Sequence, residues 1–201
     1  MLRNSLVALS IASLSALSPL AAEEKTKGSY FVGSIGAGQM NDISFAASLG
    51  GGTAKFDPGF SGEIGIGYDF GSLRTELTYG STTTPLADNT ADVDVDITSF
   101  LVSAAYDWRA DKKWQPYIGL GIGASTIDIN LAATVGGTSV TAGDDNISTA
   151  KFKLGVNYEA SEDVDVYVES WGQGFDDFTI GLIEFTDVTV SGVSLGFRVK
   201  L

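Results

Sequence analysis

Residues 60–79 read Phe-Ser-Gly-Glu-Ile-Gly-Ile-Gly-Tyr-Asp-Phe-Gly-Ser-Leu-Arg-Thr-Glu-Leu-Thr-Tyr. Phe60, Gly62, Ile64, Ile66, Tyr68 and Phe70 fall on one side of an extended chain, and Ser61, Glu63, Gly65, Gly67 and Asp69 on the other. After Gly71 the alternation resumes, with Leu73, Thr75, Leu77 and Tyr79 opposite Ser72, Arg74, Glu76 and Thr78. A period of two is the mark of a strand, and two such runs around a short Gly-Ser break make a hairpin. One face of this hairpin is apolar and aromatic. The other is ionised or glycine.

The same alternation recurs along the chain. Phe31, Gly33, Ile35 and Ala37 share a face in a first strand at about 29–38. Phe100, Val102, Ala104, Tyr106 and Trp108 do so in a fourth, and Trp114, Pro116, Ile118, Leu120, Ile122 and Ala124 in a fifth. Lys151 and Lys153 oppose Phe152 and Leu154 in a sixth, Asp165 and Glu169 oppose Val166 and Val168 in a seventh, and Arg198 and Lys200 oppose Phe197 and Val199 in an eighth. The breaks alternate in length. Phe70-Gly71-Ser72, residues 109–113 and Ala160-Ser161-Glu162 are short, whereas 39–58, 81–95, 128–147 and 173–187 read as long loops. Eight strands with short and long connections in alternation fit a closed antiparallel up-and-down barrel of the outer-membrane kind, with tight periplasmic turns and larger outer loops.

Alternation alone leaves open which face is wet. A soluble β-sandwich or lipocalin-like barrel turns its apolar face inward; a membrane barrel reverses this. Three features favour the membrane. Tyr68, Phe70, Tyr106, Trp108, Trp114, Tyr158 and Phe197 gather toward the short-turn ends of the apolar face, as an interfacial girdle does, and Phe60, Tyr79, Phe100 and Phe152 begin a second ring. The polar face is rich in glycine, which suits a narrow lumen. The strands are long enough to cross a bilayer at a tilt.

Residues 1–22 read as a secretory signal: Arg3, an apolar run from Leu6 to Leu17, and a Leu20-Ala21-Ala22 cleavage site. The serines and Pro19 within it argue against a transmembrane helix. Residues 23–28 form a short polar lead-in, and the barrel domain is assigned to 29–201. The chain has 201 residues, no Cys, no His and a formal charge of −13. The absent imidazole removes the usual general base, zinc ligand and hydrolase triad, so no catalytic residue or cofactor is assigned. So acidic a chain is not a nucleic-acid binder. The glycine runs at 33–38 and 119–123 lack the following helix that a dinucleotide loop requires.

With the signal segment, the Tyr30-Phe31-Val32-Gly33 opening, residues 116–123 (Pro-Tyr-Ile-Gly-Leu-Gly-Ile-Gly) and an alternating last strand, the chain resembles small eight-stranded outer-membrane barrels: OmpA/OmpX-like proteins, opacity-type surface antigens and porin-family proteins. The last residue is Leu201 where that family commonly has an aromatic. The resemblance implies a cell outer-membrane protein with periplasmic termini. Its partners would be lipid, lipopolysaccharide and, during insertion, the barrel-assembly machinery.

Two groups of residues are candidate sites. Glu63, Arg74, Glu76, Lys151, Lys153, Asp165, Glu169 and Arg198 point to the lumen, with Asp69, Glu159 and Lys200 beside them. Buried charges must pair. The expected arrangement sets Arg74 and Glu76 beside Glu63, and Lys153 against Glu169. It reads as a polar plug, with an ion path as the alternative. Asp92, Asp94 and Asp96 line one side of an extended segment among acidic loops, so they are candidates for a divalent cation, with simple solvation of the loops as the plainer reading. The expected function is a non-enzymatic integral outer-membrane protein with a structural and surface-interaction role. The alternatives are a narrow passive pore for small solutes and an exported soluble binding protein.

Overall fold

The computed structural model describes residues 27–45, 52–87, 93–108, 110–135, 138–180 and 183–201. The signal segment, most of the polar lead-in, Asp92 and Arg109 lie outside them. In chain order the strands are β1 (Gly28–Met40), β2 (Ile43–Phe45), β3 (Gly52–Ala54), β4 (Gly59–Asp69), β5 (Leu73–Pro85), β6 (Val93–Asp107), β7 (Trp114–Val135), β8 (Thr138–Glu159), β9 (Val164–Phe175), β10 (Phe178–Ile180), β11 (Ile183–Phe185) and β12 (Thr189–Lys200). Eight of them close into an antiparallel barrel in the order β1-β12-β9-β8-β7-β6-β5-β4. The pairs β2–β3 and β10–β11 are two small separate hairpins.

Closure runs through β1, which pairs with β4 from Gly28↔Asp69 to Gly38↔Gly59 and with β12 from Tyr30↔Lys200 to Met40↔Val190. A closed barrel leaves no sheet edge and satisfies the backbone internally, which is what hydrocarbon demands. Both ends of the barrel chain lie with the short turns, since Leu201 N–H donates to Ser29 C=O at 3.0 Å. The first turn is held by Phe70 N–H to Leu73 C=O at 2.8 Å, and Gly71 takes a φ of 107°, which an L side chain rarely adopts.

The apolar face is outside. Ile64, Leu77, Val102, Leu120, Leu154 and Leu195 are exposed, while Glu63, Arg74, Glu76, Lys153 and Arg198 are buried within the barrel. A soluble protein does not carry a continuous apolar belt around its circumference, so the exported soluble reading is set aside.

The long-loop boundaries require correction. β7 and β8 have 22 residues each and pair as far as Val135↔Thr138, so 128–147 is the far half of a hairpin. Asp94, Asp96 and Asp128 lie on strands, and the segments 39–58 and 173–187 contain the two small hairpins. The first strand also runs further than 29–38.

The cause is a switch in which face is apolar. On β7, Ile122 is 64 % exposed and outward, whereas Ile127 is 1 % exposed and inward. Their parities differ, yet β7 pairs with β6 without a break from Val93↔Leu131 to Asp107↔Tyr117. The same change separates Val95 and Ile97 (inward) from Phe100 and Val102 (outward) on β6, and Val190 (inward) from Val193 (outward) on β12. On β8 it accompanies a register shift between Ser125 and Ile127, where Asn146 has a φ of 62°. Below the switch the outer wall is apolar. Above it the barrel has a soluble protein's polarity, with an apolar core formed by Met40, Phe56, Val95, Ile127, Val188 and their neighbours.

Candidate functional site

The lumen beneath that core is filled by side chains from all eight barrel strands. Glu63 on β4 and Lys153 on β8 meet across it, with Lys153 Nζ donating to Glu63 Oε1 at 2.7 Å. Lys151 Nζ donates to the other carboxylate oxygen, Oε2, also at 2.7 Å. One carboxylate thus clamps two ammonium groups. Lys153 also lies 3.7 Å from Glu76 Oε2.

Glu76 on β5 is the second centre. Its Oε1 accepts from Tyr30 Oη on β1 at 3.0 Å and from Arg198 Nε on β12 at 3.1 Å, and lies 3.5 Å from Arg74 Nη1. Arg74 makes a bidentate pair with Asp107 on β6, through Nε to Oδ2 and Nη2 to Oδ1 (2.8 Å). The two-pronged geometry matches the planar guanidinium to a carboxylate. Arg198 donates from Nη1 to Asn157 Oδ1 at 2.9 Å, and its guanidinium lies 3.9 Å above the Tyr167 ring. Tyr117 Oη donates to Glu169 Oε2 at 2.7 Å. Asp165 is buried, with no partner for Oδ1, beside a cleft of about 10 Å³ at the short-turn mouth that Asp69 and Lys200 also line.

Two expected pairings take a different form. Lys153 hydrogen-bonds across the lumen to Glu63, while Glu169 accepts from the Tyr117 hydroxyl and acts on the Lys153 ammonium through its charge alone. Lys153 stands level with Trp171 on the next strand, not with Glu169. Glu63 is level with Gly80, so Arg74 and Glu76 lie well below it on β5. Cross-strand register decides both, and alternation alone carries no register.

Asp107 also belongs to the network, and its alternation with Tyr106 and Trp108 is the sequence signal for it. Tyr30, Tyr117 and Tyr167 join it from the polar face, where alternation gives their side of the strand but not their partners. Each lies over a glycine directly opposite in the register: Tyr30↔Gly67, Tyr117↔Gly155 and Tyr167↔Gly196. A methyl group added to these glycines would stand 2.3, 2.5 and 2.3 Å from the rings. These three lumen glycines are therefore seats for tyrosine rings.

A polar layer separates the ionic network from the apolar core above. Gln173 Nε2 donates to Ser99 Oγ at 2.8 Å, Thr149 Oγ1 at 3.0 Å and Ser125 Oγ at 3.3 Å. Trp171 Nε1 donates to Ser194 Oγ at 2.9 Å, and the Lys151 ammonium sits 4.5 Å from the Trp171 ring centre.

On the outer wall, Tyr68 and Phe70 lie 4.6 Å apart, Tyr106 and Trp108 meet edge to face at 5.7 Å, and Trp114 and Tyr158 lie 4.7 Å apart, all near short turns. Phe197 is exposed and covers Gly33. Of the candidate cation residues, Asp92 lies outside the described residues. Asp94 and Asp96 lie outward on β6, and Asp96 accepts from Thr83 Oγ1. Among the described residues no three acidic side chains stand close enough to hold a metal.

Residues 5–200 match the family model of the outer membrane protein beta-barrel domain. The chain belongs to that family. Membership places this outer-membrane barrel in the cell outer membrane. Among solved structures it is similar to Neisserial surface protein A, with 20 % identity over 88 % of this chain and 99 % of that one and a TM-score of 0.62. It is also similar to OprG of Pseudomonas aeruginosa, with 15 % identity over 87 % and 97 % and a TM-score of 0.53. Ail of Yersinia pestis gives 12 % identity over 87 % and 99 % and a TM-score of 0.50. At these identities the likeness is one of fold. No curated protein sequence matches the chain.

Proposed function

We propose that this barrel is a non-enzymatic, non-conducting outer-membrane protein that stabilises the envelope and presents an acidic headpiece at the cell surface. The observation that carries this reading is the Glu63–Lys153 contact with its surrounding ion pairs. An eight-stranded barrel is only wide enough for its own side chains to fill it, and here charged and aromatic groups from every strand occupy that space. The tight turns and both chain ends face the periplasm, and the extended β6–β7–β8 end faces outward, as is usual for such barrels. Lipid meets the outer belt, and lipopolysaccharide meets the upper aromatic ring. The barrel-assembly machinery handles the chain during insertion. The sequence holds no His, which supports the non-enzymatic reading.

Planar-bilayer recording of the purified full-length mature protein tests it. The reading expects a silent membrane under applied voltage. Steady unitary channels would instead make it a narrow pore for small solutes.

A further inference from the structure

We infer that the headpiece is a binding site for a compact, uncharged apolar molecule, held in a cavity at the blind outer end of the barrel. The cavity has a volume of about 250 Å³ and its walls include Met40, Phe56, Val95, Ile127, Phe178 and Val188. Every described residue lining it is apolar. The buried polar atoms without partners, on Thr78, Ser103 and Asp165, do not line it. Nothing in the walls selects a polar ligand.

Size and dryness argue for an occupant. Protein interiors seldom leave voids much larger than a water molecule, and an unfilled void costs the wall its dispersion contacts. Apolar cavities of about 150 Å³ stay dry and take up benzene; this one is larger. The two small hairpins supply part of the wall, through Ile43 and Ala54 on one side and the stacked rings of Phe178 and Phe185 on the other, 5.2 Å apart and 9° from parallel. Below, Gln173, Ser99, Ser125 and Thr149 bond to one another, and Thr149 donates to the Gly174 carbonyl on the next strand; the ionic plug lies beneath. The cavity is a dead end, so it suits retention more than passage.

Charge at the rim narrows the class. Asp42, Asp57, Asp177 and Asp187 are exposed loop residues, each the chain neighbour of a lining residue. Lys55 is the nearest exposed base along the chain to Phe56. A carboxylate or phosphate head would be repelled there, which disfavours fatty acids and anionic lipid in favour of a neutral hydrocarbon-like molecule.

The test is methyl-resolved NMR of the full mature protein in lipid nanodiscs, titrated with naphthalene or with 2-naphthoate at pH 7. Naphthalene is expected to shift the methyls of Val95, Ile127 and Val188 saturably, while those of Ile64 and Ile122 on the lipid face drift only in proportion to partitioning. The naphthoate anion should give no saturable shift. Ala54→Phe, which fills the cavity from β3, should weaken naphthalene binding at least about tenfold and leave the lipid-face spectrum unchanged. Interior methyls that merely follow the lipid-face ones would overturn the inference. So would equal binding of the anion, binding undiminished in a folded Ala54→Phe protein, or cross-relaxation between the interior methyls and lipid chains before any naphthalene is added.

Discussion

Lys153 and Glu63 stand on strands diametrically opposite in the eight-strand ring, and they are joined by a 2.7 Å contact that passes through the centre of the barrel. A bond of this kind fixes the distance between opposite walls, which backbone pairing between neighbours does only indirectly. With Lys151 on the same carboxylate, Glu63 balances two cations at once.

Glu63→Gln should therefore be among the most damaging lumen substitutions, because it takes the carboxylate partner from buried Lys151 and the nearer of two from buried Lys153. Losing one side of a buried pair costs about 3–5 kcal/mol. Reversible urea unfolding in lipid vesicles measures it. Adding Lys153→Met should recover part of the loss, giving a coupling of roughly 0.5–3 kcal/mol in a double-mutant cycle. Strict additivity of the two substitutions would contradict the contact.

The tyrosine seats give a second expectation. Gly155→Ala puts a methyl group against the Tyr117 ring at 2.5 Å and should cost about 1–3 kcal/mol by overpacking. Gly172→Ala, on β9, meets nothing within 4 Å and should be nearly neutral. Unfolding midpoints of the two variants, measured side by side, check the contrast. Equal costs would mean that backbone preference, not the ring, holds these glycines.

Leu120→Arg places a charge on the exposed apolar belt and should destabilise the inserted barrel by about 2–4 kcal/mol, the range for Arg on the lipid face near mid-membrane. Asp177→Arg, on the exposed loop beside β10, should change stability by less than about 0.5 kcal/mol. The same vesicle unfolding assay reads both.

Much of this architecture is legible in residues 60–79 and their repeats, because each strand keeps one apolar parity through the belt. Glu63, Arg74, Glu76, Lys151, Lys153 and Arg198 fall on the lumen face for the same reason. Their partners are not legible: Lys153 hydrogen-bonds Glu63 on the opposite wall because barrel closure and register, which no local pattern encodes, set which side chains meet. The outer boundary is hidden for a different reason. Between Ala124 and Ile127 the apolar parity reverses while the strand continues, since lipid outside gives way to water and the lumen gives way to an apolar core. Read as a strand with a single buried face, that reversal looks like an end. Read as a strand that crosses from membrane to water, it marks the interface.

One continuous strand, β7, turns its apolar side outward in the membrane and inward above it. The chain has no native Cys, so a spin label on Leu120→Cys or Asp128→Cys reports one place at a time, both on the outer face of β7. Power-saturation EPR in lipid vesicles should find the label at 120 relaxed by oxygen and shielded from a water-soluble nickel chelate, and the label at 128 relaxed by the chelate. Strong chelate access at both positions, or lipid-like shielding at both, would contradict the account.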